Sequence, residues 1–154
     1  MILSDKYKQA LAFAFDLHRT QERKGSGTPY VAHILGVSSM ALEYGATEEE
    51  AIAALLHDAA EDQGGEAILL EIENRFGPSV AGVVRECTDA VEDPKPPWKE
   101  RKVRYLEHLK SASASAGLVA SCDKLYNLRA IVADYRIVGE TLWDRFAGGK
   151  EGVL

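Results

Sequence analysis

The sequence predicts an all-α fold, and three observations support that class. Apolar residues recur at three- and four-residue spacing along most of the chain, and no segment shows the polar–apolar alternation of a half-buried strand. Glycine- and proline-containing stretches separate these periodic segments. The 154 residues, 46% of them hydrophobic, are enough for a real core, so we expect a single domain over residues 1–154 with roughly eight helices.

The first predicted helix covers residues 5–21, with Ser4 as its N-cap. His18 continues the apolar face of this helix, so we expect it to be a hydrogen-bonded structural residue. A loop with two glycines and a proline follows, and the adjacent cations Arg23 and Lys24 open it. The residues leave two interpretations of this pair open, an ordinary solvated surface and a phosphate contact.

The second predicted helix runs over residues 31–44 and ends at Gly45, a typical C-terminal cap. His33 lies in its first turn among apolar neighbours, where a core residue and a ligand are both open interpretations. The third helix starts at Thr47, which forms a capping box with Glu50, and we expect it to continue to the glycines at 64–65.

The third helix carries an unusual group of ionisable side chains. On a helical wheel, Ile52 shares a core-facing stripe with three other apolar residues, whereas the opposite arc holds His57, Asp58, Glu61 and Asp62. Such an arc is either a solvated polar face or a site where the charges are paired or bind a metal. The small side chains of Ala51 and Ala54 lie on the same arc, and we expect them to leave room for another helix.

The remaining elements follow from the same periodicity. We expect helices over residues 66–76, 79–90, 98–109, 117–135 and 141–146, an exposed loop over 92–97, a small-residue linker over 111–115 and a loose C-terminal tail. The helix over 117–135 places Asp123 and Asn127 on a mostly small and apolar face. This arrangement repeats the anomaly of the third helix.

Composition narrows the function. No apolar run approaches 18 residues and the first residues lack a signal-peptide pattern, so we expect neither membrane insertion nor export. Cys87 and Cys122 form neither a disulfide framework nor a zinc pair, and we expect a cytoplasmic protein with reduced core thiols. The net charge of −6 argues against general nucleic-acid binding, and an anionic substrate would need a local basic patch or a bound cation. The sequence leaves the oligomeric state open.

Four potential metal ligands stand out, namely His33, His57, Asp58 and Asp123. Two imidazoles and two carboxylates suit a divalent cation such as Mn²⁺, Fe²⁺, Zn²⁺ or Co²⁺. An ion of this kind makes water acidic enough to act as a nucleophile near neutral pH. Glu61 and Asp62 would then be placed for proton transfer.

Taken in order, the motifs resemble those of a known family. They are Arg23-Lys24 before Pro29-Tyr30 and His33, Leu55-Leu56-His57-Asp58-x-x-Glu61-Asp62, Phe76-Gly77, and Asp123-Lys124-Leu125-Tyr126-Asn127-Leu128-Arg129. This set resembles the HD superfamily of metal-dependent phosphohydrolases, and in particular the hydrolase domain of the RelA/SpoT alarmone enzymes and the stand-alone small alarmone hydrolases. The similarity covers about residues 5–147.

The resemblance implies an HD-type helical bundle that binds one metal ion, typically Mn²⁺, and removes pyrophosphate from the 3′ position of guanosine tetra- or pentaphosphate. It implies that His33, His57, Asp58 and Asp123 are the metal ligands and that Glu61 and Asp62 are the catalytic acids. Its implied substrate contacts are Arg23, Lys24, Asn127 and one of the cations Lys99, Arg101 and Lys102, of which we favour Lys102.

Two departures affect specificity, because Ile34 and Gln63 stand where many relatives have proline and threonine. Neither removes a ligand. Two alternatives therefore stay open: a phosphohydrolase that acts on another nucleotide or on a dinucleotide-cofactor phosphate, and a non-catalytic nucleotide-sensing module. We would expect such a module to have lost Glu61 or Asp62, and this chain has both.

Overall fold

The fold is all-α, as predicted. The computed structural model describes residues 2–89 and 96–153. Within these ranges the helices, in chain order, are α1 Asp5–His18, α2 Tyr30–Glu43, α3 Glu48–Leu56, α4 Ala59–Gln63, α5 Gly65–Phe76, α6 Pro78–Cys87, α7 Trp98–Leu109, α8 Ala114–Val138, a 3-10 helix Gly139–Arg145 and α9 Gly149–Val153. The described residues contain no strand, only one isolated β-bridge between Glu22 and Pro29.

Local sequence signals set the starts of two helices. The Ser4 side chain accepts a hydrogen bond from the backbone N–H of Lys6, which confirms the predicted cap of α1. Thr47 and Glu50 form the predicted reciprocal capping box at the start of α3. These side chains satisfy backbone N–H groups that have no partner within the first turn of a helix.

Helix α3 lies at the centre of the core. Every side chain from Ala51 to Leu56 is fully buried, and α3 packs against α1, α2, α6 and α8. The buried surface of this helix therefore extends beyond the predicted stripe. Ala51 and Ala54, on the opposite arc, are also covered by neighbouring parts of the fold, as their small side chains led us to expect. Cys87 and Cys122 are both free and buried, as predicted.

A single helix over residues 47–63 was expected, and that prediction is wrong. Helix α3 ends at Leu56, a turn follows at His57–Asp58, and α4 begins at Ala59. The Ala54 carbonyl accepts a hydrogen bond from Nδ1 of His57, and Asp58 adopts φ −97° and ψ −2°, outside the ideal helical region. The two ligand candidates therefore lie in the turn itself, and the two acids lie in the short helix that follows it.

Other boundaries also differ from prediction. Helix α1 ends three residues early at His18, α6 ends at Cys87, and α8 is longer at both ends than predicted, starting after the Ser113 cap. The predicted short helix near the C-terminus is the 3-10 helix Gly139–Arg145. In the predicted loop over 92–97, residues 92–95 lie outside the described ranges.

The C-terminal tail was expected to be loose, but residues 149–153 form α9. Two glycines of the tail explain why the tail packs against α7. A Cβ atom placed on Gly148 or Gly152 would come within 2.5 or 2.6 Å of the Trp98 ring. The bare backbone at these positions therefore lets the first residue of α7 pack closely against the tail.

Another glycine brings α2 and α8 together. Gly36 faces Tyr126 so closely that an added Cβ would overlap the aromatic ring. The Tyr126 hydroxyl donates a hydrogen bond to the carbonyl of Ala32, and its ring lies edge-on to His33 with 5.2 Å between centroids. Close contact between these helices therefore depends on the absence of a side chain at Gly36.

Gly36→Ala should consequently destabilise the protein. Overpacking of this kind costs about 1–3 kcal/mol, which outweighs the gain of up to about 1 kcal/mol in helix propensity. The matched control is Gly82→Ala in α6, because none of the described atoms lies within 4 Å of an added methyl group there. Urea denaturation should show Gly36→Ala less stable, and Gly82→Ala at least as stable, as the parent. Equal free energies of unfolding for the two variants would contradict the packing argument.

None of the helices in the described part of the chain is long and apolar enough to cross a membrane.

Candidate metal centre and active site

Four side chains from three separate segments converge at the wall of a cavity. His33 comes from α2, His57 and Asp58 from the turn between α3 and α4, and Asp123 from α8. Nε2 of His57 lies 3.0 Å from Oδ2 of Asp58, and Nε2 of His33 lies 3.2 Å from Oδ1 of Asp123. The two cross pairs, His33–Asp58 and His57–Asp123, are each separated by 3.6 Å. The structure thus brings together all four predicted ligands.

The geometry of this cluster suits a metal ion. Nδ1 of His57 donates to the Ala54 carbonyl at 2.9 Å, and this bond directs Nε2 towards the carboxylates. Nε2 of His57 is buried, and within the described ranges it has no hydrogen-bond partner. The candidate ligand atoms of His33, His57 and Asp58 lie within 4.8 Å of one another. Two imidazole nitrogens and carboxylate oxygens at this separation form a donor set for a divalent cation.

Neighbouring side chains fix both carboxylates. The Tyr30 hydroxyl donates to Oδ2 of Asp58. Asn127 donates to Oδ1 of Asp123 at 2.6 Å, and Nζ of Lys124 lies 2.7 Å from its Oδ2. Such contacts orient ligands and tune their basicity. Sequence reasoning did not single out Tyr30 or Lys124, although both lie inside the quoted motifs.

The buried charges of the cluster depend on one another. Burial acts to raise the pKa of Asp58, but the positive charge of His57, the nearby ring of His33 and the hydrogen bond from Tyr30 hold that pKa well below its usual range. Burial likewise acts to raise the pKa of Asp123, but the two nearby histidine rings and the Lys124 ammonium hold that pKa below its usual range. Burial acts to lower the pKa of His57, but the two carboxylates hold it well above the usual value.

This coupling predicts that metal binding depends on pH. A metal ion needs the neutral His57 ring. In the metal-free protein the raised pKa of His57 keeps this ring protonated at higher pH than is usual for a histidine. Binding must therefore release a proton, so affinity should rise with pH up to the raised pKa of His57 and fall at lower pH. Calorimetric titration of Mn²⁺ near neutral pH, in two buffers with different ionisation enthalpies, would count the released protons. An affinity that does not change with pH would contradict this prediction.

The cluster opens into a cavity of about 440 Å³. Eight of the predicted site residues line this cavity in addition to His57; they are Arg23, Lys24, Asp58, Glu61, Asp62, Lys102, Asp123 and Asn127. His33 is not part of the cavity wall and is almost completely buried beneath it. Of the three candidate cations on α7, Lys102 is the one found among the described lining residues, and its role as a substrate contact stays a prediction.

The two acids next to the cluster have different surroundings. Oε1 of Glu61 lies 3.5 Å from Nη1 of Arg101. Oδ2 of Asp62 accepts a hydrogen bond of 2.7 Å from the side-chain amide of Gln21. Both carboxylates lie at the cavity wall, where Glu61 contacts a cation and Asp62 contacts a neutral amide.

Several cations in the cavity wall or next to it are paired with acids and amides. Nζ of Lys102 and Nη1 of Arg101 both lie 2.6 Å from the same oxygen of the buried Asp89. Nη2 of Arg23 donates to Oδ1 of Asn127 at 2.8 Å. Asn127 therefore connects Arg23 to Asp123, a contact that its predicted role in substrate binding did not include.

The rim of the cavity includes residues that the sequence did not indicate. Arg145, in the 3-10 helix, pairs with Asp134 at 2.8 Å and lies over the loop glycine Gly25, where an added Cβ would come within 2.6 Å of its side chain. Phe146 lines the cavity beside it. No periodicity or motif in the sequence marks these two residues, because only the folded chain brings them to the loop.

Comparisons with known proteins agree with this geometry. Guanosine-3′,5′-bis(diphosphate) 3′-pyrophosphohydrolase MESH1 of Drosophila melanogaster is 41% identical over 129 residues, which are 82% of this chain and 69% of that protein. MESH1 of Homo sapiens is 43% identical over 124 residues, which are 79% of this chain and 66% of that protein. The chain thus spans about two thirds of the length of these curated relatives.

A solved structure described as a metazoan ortholog of SpoT that hydrolyzes ppGpp and plays a role in starvation responses aligns with a TM-score of 0.77. The two are 31% identical, and the alignment covers 100% of this chain and 99% of that one. The family model for the HD domain matches residues 10–153. Because this match covers most of the chain and includes all four converging ligand candidates, the chain belongs to the HD domain family.

Proposed function

We propose that this protein hydrolyses guanosine 3′,5′-bis(diphosphate), ppGpp, to GDP and pyrophosphate. The observation that carries the proposal is the convergence of two histidines and two aspartates next to Glu61 and Asp62, in a cavity whose wall also carries several cations. The relatives described above as ppGpp 3′-pyrophosphohydrolases support this choice of substrate.

His33, His57, Asp58 and Asp123 would hold one divalent metal ion, for which we propose Mn²⁺. When bound, such an ion supplies positive charge that polarises a phosphoryl oxygen and lowers the pKa of water. The protein prepares the ligands for this task. The Ala54 carbonyl fixes His57, the Tyr30 hydroxyl fixes Asp58, and Asn127 fixes Asp123.

Glu61 and Asp62 would carry the protons of the reaction. One carboxylate accepts a proton from the attacking water, whose oxygen forms a new bond to the phosphorus attached to the 3′ oxygen. The bond between this phosphorus and the 3′ oxygen breaks, and the 3′ oxygen takes up a proton from the second acid. Both acids line the same cavity and are next to each other in α4, so they can share these two roles.

Arg23, Lys24 and Lys102 would neutralise the charge of the polyphosphate. All three line the cavity, in a protein whose net charge is −6. Concentrating cations at one site gives an otherwise acidic protein a local attraction for an anionic nucleotide. Asn127 lines the same cavity and would contact the substrate there, while its amide also joins Arg23 to Asp123.

The proposal is tested by incubating the purified protein with Mn²⁺ and ppGpp. We expect GDP and pyrophosphate in equal amounts, and no products after chelation of the metal. The same assay with a panel of other phosphorylated nucleotides, including dinucleotide cofactors with a ribose phosphate, separates this substrate from the alternatives. Turnover of another member of the panel but not of ppGpp would replace the proposed substrate, and no turnover of any member would leave a nucleotide-sensing module.

A cytoplasmic location and a single domain over residues 1–154 stay predictions. Fractionation of the native cells with an antibody would test the first, and limited proteolysis of the purified chain would test the second. We expect α1 and α8 to stay associated with α3 after cleavage, since both helices pack against α3.

A further inference from the structure

A chain of hydrogen bonds leads from a buried histidine to one of the cavity acids. Nδ1 of His18 lies 2.7 Å from Oε1 of Gln21, and Nε2 of Gln21 donates to Oδ2 of Asp62 at 2.7 Å. The side chain of Gln63 reaches the same point, with its Nε2 donating to Oε1 of Gln21 at 2.7 Å. Gln21 is therefore the central member of a network that ends on Asp62.

The contacts of Gln21 determine the orientation of its amide. Gln63 donates to the Gln21 oxygen, so this oxygen must face Gln63 and His18, and the amide nitrogen must face Asp62. An amide N–H that faces a carboxylate can only donate to it. The arrangement therefore holds one carboxylate oxygen of Asp62 against the Gln21 amide.

The network is anchored on rigid groups. His18 is fully buried, and its ring packs on the ring of Tyr30 at 5.2 Å between centroids. The backbone of Gln21 is held on both sides, since its N–H donates to the carbonyl of His18 at 3.0 Å and its carbonyl accepts from the N–H of Tyr30 at 2.8 Å. The backbone of Gln21 and the oxygen of its side-chain amide are both held, so the amide nitrogen can hold Asp62 in one position.

We propose that Gln21 is a positioning residue, which holds the carboxylate of Asp62 in place for proton transfer in the reaction. This inference rests on the proposed function, because it assigns Gln21 an effect on turnover that acts through Asp62. His18 and Gln63 have the supporting task of fixing the amide of Gln21. None of these three side chains needs to touch the substrate for this role.

The decisive experiment is a double-mutant cycle that combines Gln21→Leu with Asp62→Asn. Gln21→Leu alone should lower kcat by about 10- to 100-fold, the effect of one lost hydrogen bond to a charged group, and should change KM by less than about twofold. In the Asp62→Asn background the same substitution should change the residual kcat by less than about twofold, since the carboxylate that it serves is already absent.

Two measurements separate this role from a general structural one. Bound metal and the thermal unfolding midpoint should stay close to those of the parent in Gln21→Leu. The matched control is Gln9→Leu, because Gln9 is an exposed glutamine on α1 outside the cavity wall, and this variant should keep the parental kcat.

Additive losses in the double mutant, or a loss of metal in Gln21→Leu, would overturn the role of Gln21 and leave the proposed function intact. Full turnover by Asp62→Asn would overturn the assignment of Asp62 and, with it, that of Gln21. A parent protein without phosphohydrolase activity would instead overturn the proposed function itself, so the two failures are distinguishable.

Discussion

Asp58→Ala should abolish metal binding and turnover together. Asp58 provides one of the two negative charges in the cluster, and its Oδ2 lies 3.0 Å from Nε2 of His57. Losing a contact that only orients a ligand costs about 10- to 100-fold in metal affinity, and losing the ligand itself should cost more. Metal analysis of the purified variant, together with the ppGpp assay at saturating Mn²⁺, measures both effects.

The matched control for this variant is Asp16→Ala. Asp16 is an exposed aspartate on α1, and its replacement should leave metal content and turnover unchanged. Thermal unfolding of both variants guards against a loss of fold. Asp58→Ala protein with a full complement of metal would contradict the ligand assignment, whatever its activity.

Glu61→Gln should reduce turnover and leave the metal in place. Glu61 lines the cavity but is not one of the four converging side chains, so the ligand set survives the substitution. General acid–base catalysis contributes about 10²- to 10⁴-fold, and glutamine keeps the size of the side chain without its ability to carry the proton. We expect kcat to fall within that range, KM to change little and the metal content to match that of the parent.

An exposed glutamate on α2 provides the comparison here, and Glu43→Gln should behave like the parent. Normal turnover by Glu61→Gln would remove Glu61 from the acid–base role. Loss of metal in the same variant would instead identify Glu61 as a further ligand.

Signals between near neighbours in sequence predicted most of the helices. Ser4, Thr47 and Glu50 act within one helical turn, so their cap geometry could be predicted without knowledge of the fold. The turn at His57–Asp58 could not. No glycine or proline marks it, and its geometry involves the contact of the His57 ring with Ala54 and the contacts of Asp58 with His33 and Tyr30.

The candidate site was predictable to the extent that its residues lie in motifs. The pattern of ionisable residues on a buried helix indicated His57, Asp58, Glu61 and Asp62, whereas the residues alone left His33 open between core and ligand. Arg145 was not predictable, because its place at the cavity rim depends on the packing of the 3-10 helix against the loop at Gly25.

The spread of the four ligand candidates over α2, the turn after α3, and α8 links metal occupancy to the stability of the whole fold. An unfolded chain does not bring these segments together, so an ion held by all four binds the folded state in preference. By mass action, an ion present at 100 times its Kd would add about 2.7 kcal/mol to the free energy of unfolding. The melting temperature would then report how much of the protein carries metal. A shortage of the ion would lower the free energy of unfolding as well as the activity.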